Sequence, residues 1–377
     1  MKITAVEPFA AGGATRNFLF VEVQTDEGIS GIGESGLTGR EMAVEGAVRQ
    51  LATLIVGQDA GRIEHYWQTL SRGGFFPAQG AVAAALSAID IALWDIKGKA
   101  LGVPVYDLLG GLVRDRVVCY PHNVEDGIEP LLESARRTTA EGWKFVRWGL
   151  PTEGEVIEPR VAIRTALKQF EALRAALGEE IELCMDVHTR LDQSDAITLL
   201  RAVEPFRPFF MEDPVRSEDL TALRRVRQQT AVPIAAGEQL HSKWQFRPVI
   251  EDELADYIRV DLCLVGGITE AKKIAAMAEA HHQKLATHNP LGPVSSAACL
   301  QINLACPNVG VQEQPARPGT VLTDVFPVQI AWRDGYLLPP TLPGLGVVWD
   351  RAAAAAHPFR PIEPPHLRRR DGSFTNW

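Results

Sequence analysis

Six residues able to do acid–base or metal chemistry recur roughly every 25 residues in the second half of the chain: Asp186, Glu212, Glu238, Asp261, His288 and Glu313. Each sits in or just after a short apolar run: "ELCMDVH", "PFFMEDP", "VPIAAGEQ", "YIRVDLC", "KLATHNP" and "VGVQEQ". A strand, a helix and two loops fill about that length. Each residue is therefore expected at the C-terminal end of a strand, the rim where barrel enzymes carry their chemistry. Asp186, Glu212 and Glu238 would end adjacent strands and repel one another unless a cation lies among them. Oxygen-only ligands favour a hard ion such as Mg2+ over zinc. His288 would stand beside Asp261, and a carboxylate next to an imidazole fixes its tautomer and raises its basicity, as a general base requires. His188 falls on the same side of an extended segment as Asp186 and is a candidate second acid or base. Glu313 could donate a hydrogen bond to a developing oxyanion if held protonated, or orient substrate. These parts suit one chemistry. A metal holds a substrate carboxylate and stabilises the enediolate formed when a base removes the α-proton. An acid then helps a β-hydroxyl leave, or returns the proton to carbon.

The elements that must position these groups follow from pattern. Strands are expected at Val117–Tyr120, Lys144–Trp148, Ile181–Asp186, Pro208–Met211, Val232–Ala236, Asp256–Val260, Lys284–Ala286 and Val309–Gln312. Helical spacing fills the gaps, as at Ile128–Ala140, Ala162–Leu177 and Thr269–His281. Strict βα alternation implies a parallel sheet, and eight units imply a closed (β/α) barrel. Ahead of it, residues 1–34 read as strands with a hairpin signal at Asp26-Glu27-Gly28 and a flexible loop at Ala10–Arg16. Helices are expected over Arg40–Ile55, "GRIEHYWQTL" and Gln79–Ala100, the last stopped at Leu101-Gly102-Val103-Pro104. After Glu313, "DGYLLPPTLPGLGVVWD" reads as a small β element, and a Pro/Arg-rich tail carrying Phe359, Phe374 and Trp377 is expected to dock on the body.

Composition sets the outer limits. With 38 basic against 47 acidic residues the net charge is −9, which gives no basic excess for nucleic acid. No apolar stretch has the length of a membrane span and the N-terminus lacks a signal-type apolar run, so a cytoplasmic protein is expected. Cys119, Cys184, Cys263, Cys299 and Cys306 lie in apolar runs with no C-x-x-C pair and read as reduced buried thiols.

At these residues the chain resembles the enolase superfamily, in its mandelate racemase-like group. The resemblance runs through "TDEGISGIGES", "SAIDIALWDIKGKALGVPVYDLLGG", "MEDP", "AAGEQL", "RVDLCLVGGITEAKKIAAMAEAH" and "THNPLGPVSSAACLQ". It implies a modified (β/α)7β-type TIM barrel over residues 116–335. It also implies an α+β N-terminal capping domain over 1–115, completed by the tail 336–377. It implies one Mg2+ held by Asp186, Glu212 and Glu238, a His288–Asp261 dyad, and Glu313 on the last strand. The "DVH" triplet at 186–188, "QEQ" and the closing "DGSFTNW" resemble the galactonate dehydratase-type sugar-acid dehydratases. Their counterpart of His188 is the acid that helps hydroxide leave. Strand 2 departs from relatives that carry K-x-K, the second lysine being a base. Here "GWKFVRWGL" aligns Arg147 and Gly149 with those positions, and Lys144 falls on the other face. An always-charged arginine suits substrate binding or electrostatic stabilisation better than proton abstraction. The resemblance also offers His122, Arg16 and Asn17 as substrate-binding residues. It implies a hydro-lyase acting on an aldonate, in a homo-oligomer of two to eight subunits. A racemase or epimerase using the same site, and a catalytically idle binding protein, are the alternatives.

Overall fold

The computed structural model describes residues 1–363 and 366–376; Trp377 lies outside them. Strands β1 (Ile3–Gly12), β2 (Asn17–Thr25) and β3 (Ser30–Ser35) form an antiparallel sheet in that order. Helices α1 (Glu41–Ile55), α2 (Ile63–Arg72), α3 (Gly80–Leu101) and the short α4 (Val105–Leu108) follow. Helix α1 buries Val44, Val48, Leu51 and Ile55, one stripe at helical spacing. The stripe meets Leu19, Val21 and Val23 of β2 and Ile89, Leu93 and Ile96 of α3 in the core of this cap.

From β4 (Val117–Tyr120) strand and helix alternate: α5 (Ile128–Ala140), β5 (Phe145–Gly149), α6 (Pro159–Leu177), β6 (Glu182–Asp186), α7 (Gln193–Val203), β7 (Phe210–Glu212) and α8 (Leu220–Arg227). Then come β8 (Ile234–Ala236), α9 (Lys243–Glu251), β9 (Tyr257–Ile258), α10 (Gly267–Ala280), β10 (Lys284–Thr287), α11 (Pro293–Ala305) and β11 (Val309–Glu313). Among the described residues no helix separates β11 from the strands that follow it, so the barrel is of the (β/α)7β type. The parallel strands run in the order β4-β11-β10-β9-β8-β7-β6-β5. The two ends of this sheet meet where the Asn123 N–H donates to the Arg147 carbonyl at 2.8 Å, just beyond β4 and within β5.

The barrel interior explains the site. Tyr120, Phe145, Cys184, Phe210, Ala235, Ala286 and Val311 form one buried apolar cluster, with Tyr257 packed against it. They come from all eight strands and make an inward layer. Side chains two positions on along a strand point the same way. The next inward layer is therefore His122, Arg147, Asp186, Glu212, Arg259, His288 and Glu313. Glu238 comes one residue late, after Gly237.

Beyond the barrel the tail threads through both parts. Strands β12 (Trp332–Arg333) and β13 (Tyr336–Leu337) form a hairpin, and β13 pairs antiparallel with β4. Residues 345–360 then lie on the cap. The Leu345 N–H donates to Asp95 at 2.8 Å, and Arg351, at the start of α12 (Arg351–Ala354), pairs with Glu7 at 2.7 Å. Among the described residues the tail leaves the cap beyond Arg360. Arg368 accepts from the Ile157 N–H at 2.9 Å, and Arg370 pairs with Glu153 at 2.8 Å, both on the long loop after β5. The docking is made by main chain, charge and the buried Leu367, while Phe374 stays exposed.

Candidate active site

Strand ends place the acidic residues as their spacing predicts. Asp186 ends β6, Glu212 ends β7, Glu313 ends β11, and Glu238 follows β8. Two guanidinium groups stand among them. Arg147 Nη2 lies 2.5 Å from Asp186 Oδ2, and its Nε lies 3.8 Å from Glu212 Oε2. Arg259 is fully buried, with Nη2 at 2.6 Å from Glu212 Oε1, 2.5 Å from Glu313 Oε2 and 3.7 Å from Glu238 Oε2. Its Nη1 donates to the Ala286 carbonyl at 2.9 Å. Negative charge is still in excess. Burial, with the charges on Asp213, Glu212 and Asp186, pushes the Glu238 carboxyl well above its ordinary range. Burial also raises Glu212, even with Arg259 beside it.

The dyad forms. His288 Nδ1 and Asp261 Oδ2 are 2.8 Å apart, and the other Asp261 oxygen accepts from the Cys263 N–H at 2.7 Å. Asp261 and His288 also sit on an isolated parallel bridge between neighbouring strands. The second ring nitrogen, Nε2, points into the carboxylate group, 3.4 Å from Glu238 Oε2.

Two expectations change. His188 does not continue an extended strand beyond Asp186. The chain turns there, with φ of 56° at His188 and 58° at Thr189. The turn is closed by the His188 N–H donating to Asp186 Oδ1 at 2.7 Å, and the imidazole Nε2 ends 4.0 Å from Asp186 Oδ2. Glu313 is not a protonated donor. Burial works to raise its pKa, but Arg259, His288 and His122 outweigh it and hold the carboxyl well below its usual range. It accepts from Arg259, from the Asn289 N–H at 2.9 Å, and lies 2.5 Å from His122 Nε2. Burial, reinforced by Arg147, lowers the His122 pKa to about 4, so a neutral imidazole donates to an ionised Glu313 at pH 7.

The remaining candidates separate. A cavity of about 840 Å³ opens between the cap hairpin, the segment 290–293, the loop 314–324 and the tail, and Arg16 and His122 both line it. Arg16 donates to the Pro290 carbonyl, next to the segment that carries His288. Asn17 turns elsewhere. It is buried, its Nδ2 donates to the Arg360 carbonyl at 2.7 Å and its Oδ1 accepts from the Arg360 N–H, so it ties the tail to the cap. Arg147 points into the carboxylate group and is not among the residues lining the cavity. Arg259 escaped the sequence reading, although "YIRVD" puts it two residues before Asp261 and so on the same face.

The donor set bears on a metal. Glu212 Oε1 and Oε2 are buried and lack a hydrogen-bond partner of good geometry, and Asp213 Oδ2 is buried likewise. An all-oxygen group with surplus negative charge fits a hard divalent cation. Among the described residues, no three His, Cys, Asp or Glu side chains already stand in an arrangement that could hold one.

Fold and site together define a capped (β/α)7β barrel whose rim sets a His–Asp pair beside a cluster of buried carboxylates. The chain belongs to the mandelate racemase / muconate lactonizing enzyme family: residues 5–110 match its N-terminal domain and residues 130–353 the enolase C-terminal domain-like model. It is 40% identical to a D-galactonate dehydratase of Ralstonia nicotianae, with 100% of each chain covered. It is 37% identical to a D-mannonate dehydratase of Caulobacter sp., with 96% of each covered. The structure matches an enolase from Pantoea ananatis with bound D-gluconate and magnesium at a TM-score of 0.94 and 33% identity, covering 100% of this chain and 99% of that one.

Proposed function

We propose that the chain is a Mg2+-dependent dehydratase of a sugar acid, an aldonate of the galactonate type, converting it to a 2-keto-3-deoxy acid. The observation that carries this reading is the buried His288–Asp261 pair, 2.8 Å apart, aimed into a surplus of carboxylates. The dehydratase relatives and the D-gluconate- and magnesium-bound neighbour support the substrate class and the cation. Asp186, Glu212 and Glu238 would hold Mg2+, which when bound neutralises the substrate carboxylate and stabilises negative charge as the α-proton leaves. Asp261 holds the His288 tautomer so that Nε2 is the basic nitrogen, and Nε2 takes the proton from C2. His188 gives a proton to the C3 hydroxyl, which leaves as water, and the enol tautomerises to the keto acid. Glu313 fixes Arg259 and the His122 ring. His122, its Nε2–H given to Glu313, presents Nδ1 as an acceptor for a substrate hydroxyl at the cavity wall, and Arg16 binds toward the far end of the chain. Arg147 screens the carboxylates, and Asn17 contributes through the tail it holds.

In this reading residues 1–115 with the tail stretch 345–360 act as the cap and 116–335 as the catalytic unit, to which 336–337 and 368–370 also attach. Phe75 and Phe76, exposed at 94% and 83% on the loop before α3, suit burial in a homo-oligomer of two to eight subunits. No helix among the described residues is long and apolar enough to cross a membrane. Five buried thiols without disulfides suit a reducing cytoplasm. The test is a panel of aldonates with Mg2+ and detection of 2-keto acid. Absence of keto acid from every aldonate overturns the reading, and exchange of the α-proton with solvent deuterium without keto acid points to epimerisation instead.

A further inference from the structure

Two buried cap carboxylates, Glu34 at the end of β3 and Asp90 in α3, take no part in the steps above. Each meets the N-terminus of a barrel helix. Helix α11 starts just after the segment that carries His288, and its Gly292 and Ser295 N–H groups donate to Glu34 Oε1 at 2.7 Å and Oε2 at 2.8 Å. Helix α10 starts just after the segment that carries Asp261, and its Thr269 N–H donates to Asp90 Oδ2 at 3.0 Å. Cap side chains surround that second contact. Ser87 Oγ accepts from the Gly266 N–H at 2.8 Å, Trp67 Nε1–H donates to the Gly266 carbonyl at 3.0 Å, and Trp94 Nε1–H donates to Thr269 Oγ1 at 2.8 Å.

Glycines let the carboxylates in. Gly267, at φ 78°, lies so close to Asp90 that a Cβ would come within 2.2 Å of Oδ2, and a Cβ on Gly292 would come within 2.7 Å of Glu34 Oε1. The first N–H groups of a helix have no partner within it, and a carboxylate both satisfies them and answers the helix dipole. Packing alone would not call for charge here. Burial pushes both Glu34 and Asp90 to about 7 in spite of these hydrogen bonds, so each carboxylate is held at its helix end at a desolvation cost. Among the described residues, the two barrel helices held this way follow the two members of the dyad.

We propose that Glu34 and Asp90 are positioning residues: through them the cap holds the helix ends that carry His288 and Asp261, and so sets the geometry of the proton-abstracting pair. The inference rests on the reading of that pair as the base. Each dyad residue lies on a short segment anchored at one end by its strand and at the other by a cap carboxylate. A displacement of about 1 Å at a reacting group can slow a reaction by about 100-fold.

The experiment compares Glu34→Ala, Asp90→Ala, Glu34→Gln and Asp90→Asn in the full-length protein with Mg2+. The alanine variants are expected to lose about 10- to 100-fold in kcat and in α-proton exchange, with KM and Mg2+ affinity near wild type. Asp90→Asn keeps the acceptor that Thr269 uses and is expected to regain most of the rate. Glu34→Gln turns an amide N–H₂ toward one of two donors and is expected to regain only part. A second arm needs no substrate: the downfield proton NMR signal of the His288 Nδ1–H, assigned by its absence in His288→Asn, is expected to weaken or shift in both alanine variants. Lower melting temperature with kcat and the NMR signal unchanged overturns the proposal, as does a loss of KM and Mg2+ affinity in step with kcat. Should the alanine variants fail to fold, unchanged kcat and NMR signal in Glu34→Gln overturns it. A wild-type protein inert toward all aldonates sinks the dehydratase reading alone, and the NMR arm still decides this one.

Discussion

Replacing Arg259 by methionine removes a fully buried cation that touches three carboxylates, while keeping an unbranched side chain of similar length. Its Nη2 lies 2.6 Å from Glu212 and 2.5 Å from Glu313. Breaking a buried ion pair by removing one partner costs about 3–5 kcal/mol, because the other charge is left buried and uncompensated. That is a large fraction of the ~5–15 kcal/mol that holds a typical domain folded. The pH dependence has a definite sign. In the wild type, Arg259 with His288 and His122 overrides burial and holds Glu313 well below its ordinary pKa. Such a carboxyl adds stability above the unfolded-state pKa and loses it only as pH falls through the low folded value. Without Arg259, burial meets less opposition and the Glu313 pKa rises toward those of Glu212 and Glu238, which are already raised. The folded variant then takes up protons more readily than its unfolded chain, so it gains stability as pH falls. Urea unfolding followed by tryptophan fluorescence should show a deficit of about 3–5 kcal/mol at pH 7 that narrows at pH 5. Added Mg2+ should recover part of it at pH 7, by supplying positive charge to the same group. An unchanged midpoint at pH 7, or a deficit identical at both pH values, would refute the role assigned to Arg259.

His288→Asn should abolish both keto-acid formation and α-proton exchange, read by coupled assay and by deuterium incorporation. Asp261→Asn should cost about 100- to 10,000-fold in kcat, the usual range for general acid–base catalysis. His188→Asn should block dehydration while α-proton exchange persists; if exchange disappears with it, His188 is not the acid of a separate step. Burial lowers the His188 pKa despite the opposing pull of Asp186. Its protonated form therefore grows as pH falls, and the ratio of exchange to dehydration should rise from pH 6 toward pH 8. Chelation of metal should abolish turnover reversibly, and Mg2+ should raise the melting temperature in a concentration-dependent way; turnover unaffected by chelator would contradict the assignment of Asp186, Glu212 and Glu238.

The sequence by itself determined which residues stand at the barrel rim. Apolar runs that each end in an acid or a histidine, roughly one strand–helix unit apart, fix strand ends. A side-chain period of two then fixes which residues point inward. Asp186, Glu212, His288 and Glu313 were legible because they depend only on their own strands. The i+2 rule puts Arg259 on the inner face, yet the residue was passed over because its partners Glu212 and Glu313 come from other strands. The turn at His188 was hidden because Asp186 closes it with a hydrogen bond that the alternating pattern does not encode. Asn17 looked like a binding residue, and only the path of the tail showed that Arg360 occupies it. Glu34 and Asp90 were visible as letters in quoted motifs, yet nothing near them in the chain names the helix ends they hold. Those contacts span 258 and 179 residues. Local pattern decides the element and the face. The partner of a buried charge is decided by which distant element packs against it, because an uncompensated charge is costly wherever the fold leaves it.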